Sequence, residues 1–166
     1  MNKIAASILA LGIGFSGLGH AAGIAVIDLE KVIQNSTYLK QQDASLQQSV
    51  KPQTTKLEQL GKDIEALRQK AQAQGANANA ANIQQLSTQY QAKVTEYQSI
   101  QQGVQSKMQN SLQTMNRTFE AKLKQAAEQL RQENNLDYIL NKNAAMAYDP
   151  KNDLTDKMIQ KVNALK

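Results

Sequence analysis

Two long segments of the chain carry a single narrow stripe of apolar residues on an otherwise polar surface. In the first, residues 37–74, the stripe recurs about every 3.56 residues, between a heptad repeat and a plain helix. Its members are Leu39, Leu46, Val50, Leu57, Leu60, Ile64, Leu67 and Ala71. This spacing predicts a long amphipathic helix that buries only a seam. Pro52 lies inside the segment and predicts a kink, because proline removes a backbone hydrogen bond and crowds the preceding turn.

The stripe returns from residue 82 to residue 133 with a spacing of about 3.6 residues, which predicts a second long helix with little supercoil. Its members are Ile83, Leu86, Tyr90, Val94, Tyr97, Ile100, Val104, Met108, Leu112, Met115, Phe119, Leu123, Ala126 and Leu130. Gly103 interrupts this segment and Gly61 the first one. Both are points where the helix is expected to be less stable, because an isolated glycine in a helix lowers its stability by roughly 1 kcal/mol relative to alanine.

The residues between the two segments, GANANAAN at 75–82, are short and uncharged. Gly75 can end the first helix in the left-handed region, and Asn77, Asn79 and Asn82 suit a turn or an N-cap. Neither helix can bury its stripe alone, and a short connection favours antiparallel packing. We therefore predict a helical hairpin arm over residues 37–134, with its tip near 75–82.

The ends of the chain have a different pattern. Ile24–Ile27 is a β-branched run that predicts a strand, and Asp28 precedes a short helical stretch, Leu29–Gln34. Towards the other end, residues 136–140 and 144–148 predict a β-hairpin with a turn at 141–143.

A last helix is predicted over residues 154–165, with Asp153 or Asn152 as its cap. The long hairpin returns the chain to its start, so the two ends can meet in one sheet of about three strands. Such a small sheet is marginal in isolation and leaves open edges, which predicts oligomerisation.

The predicted fold class is therefore mainly α with a small β body. We place the oligomerisation body at residues 22–36 and 135–166. The residues expected to form it are Ile24, Val26, Ile27, Tyr138, Ile139, Leu140, Met146 and Tyr148. Aromatic residues make up only 4% of the chain, which agrees with an elongated protein rather than a well-filled globule.

The first 21 residues have the pattern of a cleaved signal peptide. Lys3 precedes an apolar run at 4–18, which is long enough for a signal peptide and short for a membrane span. Small residues at Gly19 and Ala21 predict cleavage after Ala21, with Ala22 as the alternative. An uncleaved anchor helix is the competing interpretation. Cleavage predicts export to the periplasm.

The composition offers little catalytic chemistry. The single histidine, His20, lies in the predicted signal peptide, and there is no cysteine and no glycine-rich phosphate loop. We expect no enzyme, no cofactor and no metal site. The 19 basic residues exceed the 14 acidic ones but are spread along the chain. They predict a solvated helix surface or a weak contact with an anionic membrane surface, and we expect no nucleic acid partner.

The arrangement resembles the Skp (OmpH) family of periplasmic chaperones. The resemblance is carried by GIAVIDLEKVIQNS at the mature N-terminus, by the long helical middle, and by NLDYILNKNAAMAYDPKNDLTDKMIQKVN at the end. It implies a homotrimer with a shared β-barrel body, whose three arms enclose a cavity and hold unfolded outer-membrane proteins without ATP. Family arms are often strongly basic near their tips, whereas this tip has only Arg68 and Lys70 nearby. That departure argues against electrostatic binding of unfolded proteins at the tip and against lipopolysaccharide binding.

Under this interpretation, residues of the second helix would contact the unfolded client. The candidates are Tyr90, Val94, Tyr97, Ile100, Met108, Leu112, Met115 and Phe119. The alternative is that most of them fill the seam between the arm helices, as is expected for Ile64, Leu67, Ile83 and Leu86.

Pro52 and Gly103 would let the arm flex to admit clients of different size, although Pro52 can equally form a fixed kink. A second functional class remains open: a structural or adaptor coiled coil of the cell envelope with no chaperone activity. Such a protein has no need of a trimerisation body.

Overall fold

The computed structural model describes residues 23–74 and 79–165. The predicted signal peptide and Gly75, the predicted end of the first arm helix, lie outside the described residues. The elements in chain order are β1 (Ile24–Ile27), α1 (Leu29–Gln34), α2 (Thr37–Gln74), α3 (Ala80–Glu133), β2 (Tyr138–Asn141) and α4 (Thr155–Ala164). Two 3₁₀ turns, Lys142–Ala144 and Pro150–Asn152, lie between β2 and α4.

Helices α2 and α3 pack against each other as an antiparallel hairpin, which confirms the prediction. At about 1.5 Å per residue, their 38 and 54 residues span roughly 57 and 81 Å. Asn79 caps α3, since its side chain accepts a hydrogen bond from the Ala81 N–H at 3.0 Å. The Ser36 hydroxyl likewise accepts from the Leu39 N–H at 3.2 Å at the start of α2.

The two ends of the chain meet in one small sheet, as predicted. Strands β1 and β2 pair in parallel, with Val26 opposite Leu140 and Ile27 opposite Asn141. The other side of β1 is also occupied, because the Leu154 N–H donates to the Val26 carbonyl at 2.9 Å. Therefore β1 is the inner strand, and β2 forms an edge of the sheet.

The prediction of a strand at residues 144–148 is wrong. Lys142–Ala144 is instead a 3₁₀ turn, which the Asn141 side chain supports by accepting from the Asn143 N–H at 3.2 Å. This turn leads the chain away from β2 at the point where a hairpin would have folded back. Of the residues in this segment, tyrosine favours a strand but alanine does not, and within the described residues no neighbouring strand pairs with it. The sheet has two strands rather than about three.

The hydrophobic core lies at the base of the arm, where α1, α3 and α4 pack with β1. Its buried members are Ala25, Ile27, Val32, Phe119, Ala126, Leu130, Leu154, Met158 and Val162. Met158 and Val162, one turn apart on the last helix, are both buried in this core. The predicted cap, Asp153 or Asn152, is wrong, because α4 has Leu154 at its N-cap position without a side-chain cap hydrogen bond. Asp153 lies one residue earlier and accepts from the Thr155 N–H at 3.0 Å. The core includes the last turns of α3, so the base and the arm share one continuous helix.

Candidate functional site

The arm buries only a thin seam between α2 and α3. In α2 the one fully buried side chain is Leu60, which has no exposed surface. Along α3, by contrast, Ile83, Tyr90, Met108 and Leu112 keep between 39% and 52% of their surface exposed. Two helices can cover only one stripe of each other, so apolar residues beside that stripe stay in water. These exposed side chains are the candidate site.

The predicted client-contacting residues fall into three groups. Tyr90, Met108 and Leu112 are exposed. Four more residues are half-buried at the seam, as the alternative interpretation expected: Val94, Tyr97, Ile100 and Met115. Phe119 is only 8% exposed and packs in the core at the base, where α4 and β1 add neighbours that the arm lacks. The Phe119 side chain is therefore unavailable to a client, and we remove it from the candidate site.

A cleft opens between the helices near the tip, with a volume of about 360 Å³. Leu67, Arg68 and Ala71 of α2 line one wall, and Ile83 and Tyr90 of α3 line the other. The sequence placed Ile83 in the seam, but it is 52% exposed, because no third element of residues 23–74 and 79–165 packs against this part of the hairpin. The cleft has the size and apolar lining to accept a side chain from another polypeptide.

Arg68, at the edge of this cleft, is held by Glu65. Its Nε lies 3.0 Å from Oε2 of Glu65 and its Nη2 lies 3.1 Å from Oε1. Hydrogen bonds from Arg68, and then from Gln69, lower the pKa of the Glu65 carboxyl. The positive charge of Arg68 is thus balanced within its own helix.

Ion pairs connect the two arm helices. Lys93 Nζ lies 2.9 Å from Oδ2 of Asp63, and Lys56 Nζ lies 3.1 Å from Oε1 of Glu96. The hydrogen bond from Lys93, followed by one from Gln59, holds the pKa of Asp63 below its ordinary value. These contacts join residues of α2 and α3 that face each other across the seam.

Pro52 and Gly103, the two positions at which we predicted that the arm bends, lie in the middle of the arm. Pro52 lies inside α2, which is helical from Thr37 to Gln74. One turn before it, Lys107 of α3 donates to the Ser49 carbonyl at 2.8 Å, and the adjacent Gln53 has a buried Oε1 without a hydrogen-bond partner. A Cβ atom added to Gly103 would meet no other atom within 4 Å, so packing does not require glycine there.

The residues predicted for the oligomerisation body differ in exposure. Ile24, Tyr138, Leu140 and Met146 are exposed, with Tyr138 at 59%. Val26 and Ile27 are buried within the chain, and Ile139 packs against the core. The Tyr148 ring is half-buried, with its centroid 5.2 Å from Lys142 Nζ. The exposed residues are therefore the ones available to another chain, and Tyr138 and Leu140 lie on the edge strand.

Sequence reasoning missed Lys122, a lysine that is only 9% exposed. Its Nζ donates to the Leu165 carbonyl at 2.7 Å and lies 5.4 Å from the centre of the Tyr38 ring. It thereby fixes the end of α4 against the base of the arm. The available signal was its position, since Lys122 lies between Phe119 and Ala126 at helical spacing and so on the buried face of α3.

Residues 23–162 match the family model described as outer membrane protein (OmpH-like). The chain belongs to the OmpH family. This OmpH-like chain is also 23% identical over 143 residues to a Skp-like protein of Pseudomonas aeruginosa, an alignment that covers 86% of this chain and 85% of the relative.

A crystal structure of an OmpH-like protein from Caulobacter crescentus, assigned as an outer membrane chaperone, has the same fold. It superposes with a TM-score of 0.66 at 19% identity and covers 86% of this chain and 85% of the other. The resemblance to the Skp (OmpH) family that we inferred from the sequence is thus confirmed.

Two other properties of the OmpH-like chain bear on its chemistry. Within residues 23–74 and 79–165, no three histidine, cysteine, aspartate or glutamate side chains come together as a metal site would need. In the same part of the chain, every helix is too short or too polar to cross a membrane.

Proposed function

We propose that this OmpH-like protein is an ATP-independent holdase chaperone of the periplasm. It binds unfolded outer-membrane β-barrel proteins between helical arms and prevents their aggregation. The observation that supports this proposal is the exposure of Ile83, Tyr90, Met108 and Leu112 along a helix whose seam is already packed. Large apolar side chains repeated along an otherwise polar surface are typical of an interaction site. They extend over about 44 Å of α3.

The side chains of this surface suit a partner without a fixed shape. The flexible thioether of Met108 adapts to irregular neighbours, and the Tyr90 ring offers apolar area with a polar tip. Many weak contacts of this kind would cover client strands without selecting one pose. Release would follow when the client folds and buries its own apolar residues, so no nucleotide is needed.

Enclosing a client requires more than one arm, and the base offers a way to join several. Strand β2 is an edge strand with Tyr138 and Leu140 exposed on it, and Met146 lies in water beyond it. Exposed strand edges are ready sites for pairing with another chain. We propose that residues 22–36 and 135–166 form the oligomerisation body of a homotrimer, from which each arm of residues 37–134 projects.

Three further features belong to the proposal. Residues 1–21 would be the signal peptide that directs the chain to the periplasm. The bend points Pro52 and Gly103 would let the arms adjust to the size of the client. The basic excess of the chain would allow a weak contact with an anionic membrane surface.

The test dilutes a urea-unfolded outer-membrane β-barrel protein into buffer with or without the mature chain and follows aggregation by light scattering. Suppression near one assembly per client is expected, whereas an adaptor coiled coil of the envelope would leave aggregation unchanged. Size-exclusion chromatography with multi-angle light scattering, run on the same sample, counts the chains in the assembly.

A variant pair connects the activity to the exposed residues. The double substitution Tyr90→Ser and Leu112→Ser should weaken suppression, because it removes apolar contact area from the arm. The control is Gln41→Ser and Gln48→Ser, which changes two exposed polar residues of α2. Equal activity of the two variants would show that the exposed residues of α3 do not hold the client.

A further inference from the structure

Most of α3 carries very few charges, in contrast to the outer half of α2, which carries Glu58, Lys62 and Lys70 besides its ion-paired residues. Within residues 71–116 the only charged side chains are Lys93, Glu96 and Lys107. All three are engaged with α2. Lys93 and Glu96 form ion pairs across the seam at 2.9 and 3.1 Å, and Lys107 donates to the Ser49 carbonyl at 2.8 Å. The rest of α3 over this length therefore presents no charge to its surroundings.

One face of this part of α3 combines apolar and amide side chains. We define the neutral row as Tyr90, Gln98, Gln101, Gln105, Met108 and Leu112. All six side chains are exposed, and their spacing places them on one face of the helix over about 33 Å.

The neutral row and the charged residues lie on opposite flanks of the seam. A rotation of about 100° per residue places Lys93, Glu96 and Lys107 on one side of the α2 contact and the neutral row on the other. Arg68 is the charged side chain that lines the cleft near the tip together with Tyr90. It forms an ion pair with Glu65. The row thus faces solvent without a free charge next to it on α3.

We infer that the neutral row receives an uncharged stretch of extended, unfolded polypeptide. This inference rests on the proposed function. Apolar side chains of the stretch pack on Tyr90, Met108 and Leu112, and its backbone bonds to the amides of Gln98, Gln101 and Gln105. An extended segment without a strand partner has unpaired N–H and C=O groups, and a primary amide satisfies both kinds because it donates and accepts.

The same chemistry selects against charge. A lysine or aspartate of the client placed on the row would lose water without gaining an opposite charge, which is costly. Binding to a surface without charges also gains nothing from Coulomb attraction, so dissolved salt has little to screen. The row therefore predicts a preference for uncharged segments and an affinity that does not depend on ionic strength.

The first experiment measures binding of three synthetic peptides to the full mature chain by fluorescence anisotropy. Each peptide is about 20 residues long and alternates apolar and polar positions, as a strand does. The polar positions carry serine and threonine in the first peptide, and every second one is lysine in the second and aspartate in the third. The uncharged peptide should bind about tenfold more tightly than either charged one. Its affinity should change by less than about twofold between roughly 50 and 500 mM NaCl.

The second experiment tests the row itself with a matched pair of variants. Gln98→Glu with Gln105→Glu adds two negative charges to the neutral row, seven residues apart. Gln41→Glu with Gln48→Glu adds the same charges at the same spacing to exposed positions of α2. Only the first pair should weaken binding of the uncharged peptide, by about tenfold, and it should make the lysine peptide bind in a salt-dependent way. Circular dichroism checks that both variants keep the helical content of the parent.

The outcomes separate this inference from the proposed function. If the protein suppresses aggregation but binds the aspartate peptide best, with an affinity that falls with salt, the inference is overturned and the holdase proposal stands. A protein that suppresses no aggregation and binds no peptide overturns both. If the Gln98 and Gln105 substitutions change the number of chains in light scattering instead of peptide affinity, the row is an interface between copies, which also overturns the inference.

Discussion

The base of the protein and its arm contain the same helix in two different surroundings. At the base, Ala126 and Leu130 of α3 are fully covered, because α4 and the sheet pack against them as well. Farther out, α2 is the only element among the described residues that packs against α3, and Tyr90 and Met108 of the same apolar stripe stay exposed. The comparison teaches that the number of neighbouring elements, rather than the stripe itself, decides whether an apolar residue is core or contact surface.

Buried polar groups show the same difference. At the base the Thr155 hydroxyl accepts from the Asp28 N–H at 2.9 Å, and Lys122 donates to the Leu165 carbonyl at 2.7 Å. In the arm the Oε1 atom of Gln53 is buried without a partner. An unpaired buried polar group and a thin seam both lower local stability, so we expect the arm to open more readily than the base.

The largest expected effect is at the base. Met158 has no exposed surface, so Met158→Ala leaves a cavity and should lower the free energy of unfolding by about 2–5 kcal/mol. Met108→Ala is the matched control, because the same atoms are removed from a side chain that is 43% exposed. Its cost should stay below about 0.5 kcal/mol. Urea unfolding followed by circular dichroism measures both, and equal losses would contradict the contrast between base and arm.

The sequence predicted the hairpin and the meeting of the two chain ends because these follow from local patterns. The apolar stripes predict the two long helices, and the β-branched run at Ile24–Ile27 predicts a strand. The strand at residues 144–148 could not be judged in this way, since a strand depends on a neighbour and the Asn141 side chain stabilises a turn instead.

The candidate site was predictable only in part. Spacing shows which residues share a helix face, but it does not show how far neighbouring elements extend along that face. For this reason Phe119 was assigned to the client surface although α4 and β1 help to bury it, and Ile83 was assigned to the seam although it is 52% exposed. Both errors come from packing between elements that are distant in sequence.

An intermediate effect is expected from repairing the polar defect of the arm. Gln53→Leu places an apolar side chain between Val50 and Leu57 of the α2 stripe and removes the unpaired Oε1 atom. The arm should gain about 1–2 kcal/mol of stability. Hydrogen exchange read by mass spectrometry should slow in the middle of α2 and α3 and stay unchanged in β1. Gln48→Leu, at an exposed position five residues earlier in α2, is the control. Equal slowing in both variants would show that helix propensity, and not the buried amide, limits the arm.

The smallest effect concerns the ion pair between Asp63 and Lys93. The pKa of Asp63 lies below its ordinary value of 3.8 in the folded arm, because Lys93 and Gln59 donate hydrogen bonds to the carboxylate. The unfolded chain therefore binds this proton more readily. The pair stabilises the arm above the ordinary pKa, and the contribution is lost as the pH falls through the lower, folded value.

Asp63→Asn should accordingly flatten the pH dependence of arm stability on the acid side while leaving that of the base unchanged. Thermal unfolding between about pH 6 and pH 3 at low ionic strength measures it, since exposed pairs are screened by salt. The base supplies the comparison, because Arg131, and then Gln132, lower the pKa of Glu128 to about 2 from within the same helix. Glu128→Gln should affect only the end of α3. If the two substitutions changed hydrogen exchange in the same residues, the base and the arm would unfold as one unit. The base and the arm would then differ in the exposure of their side chains but not in stability.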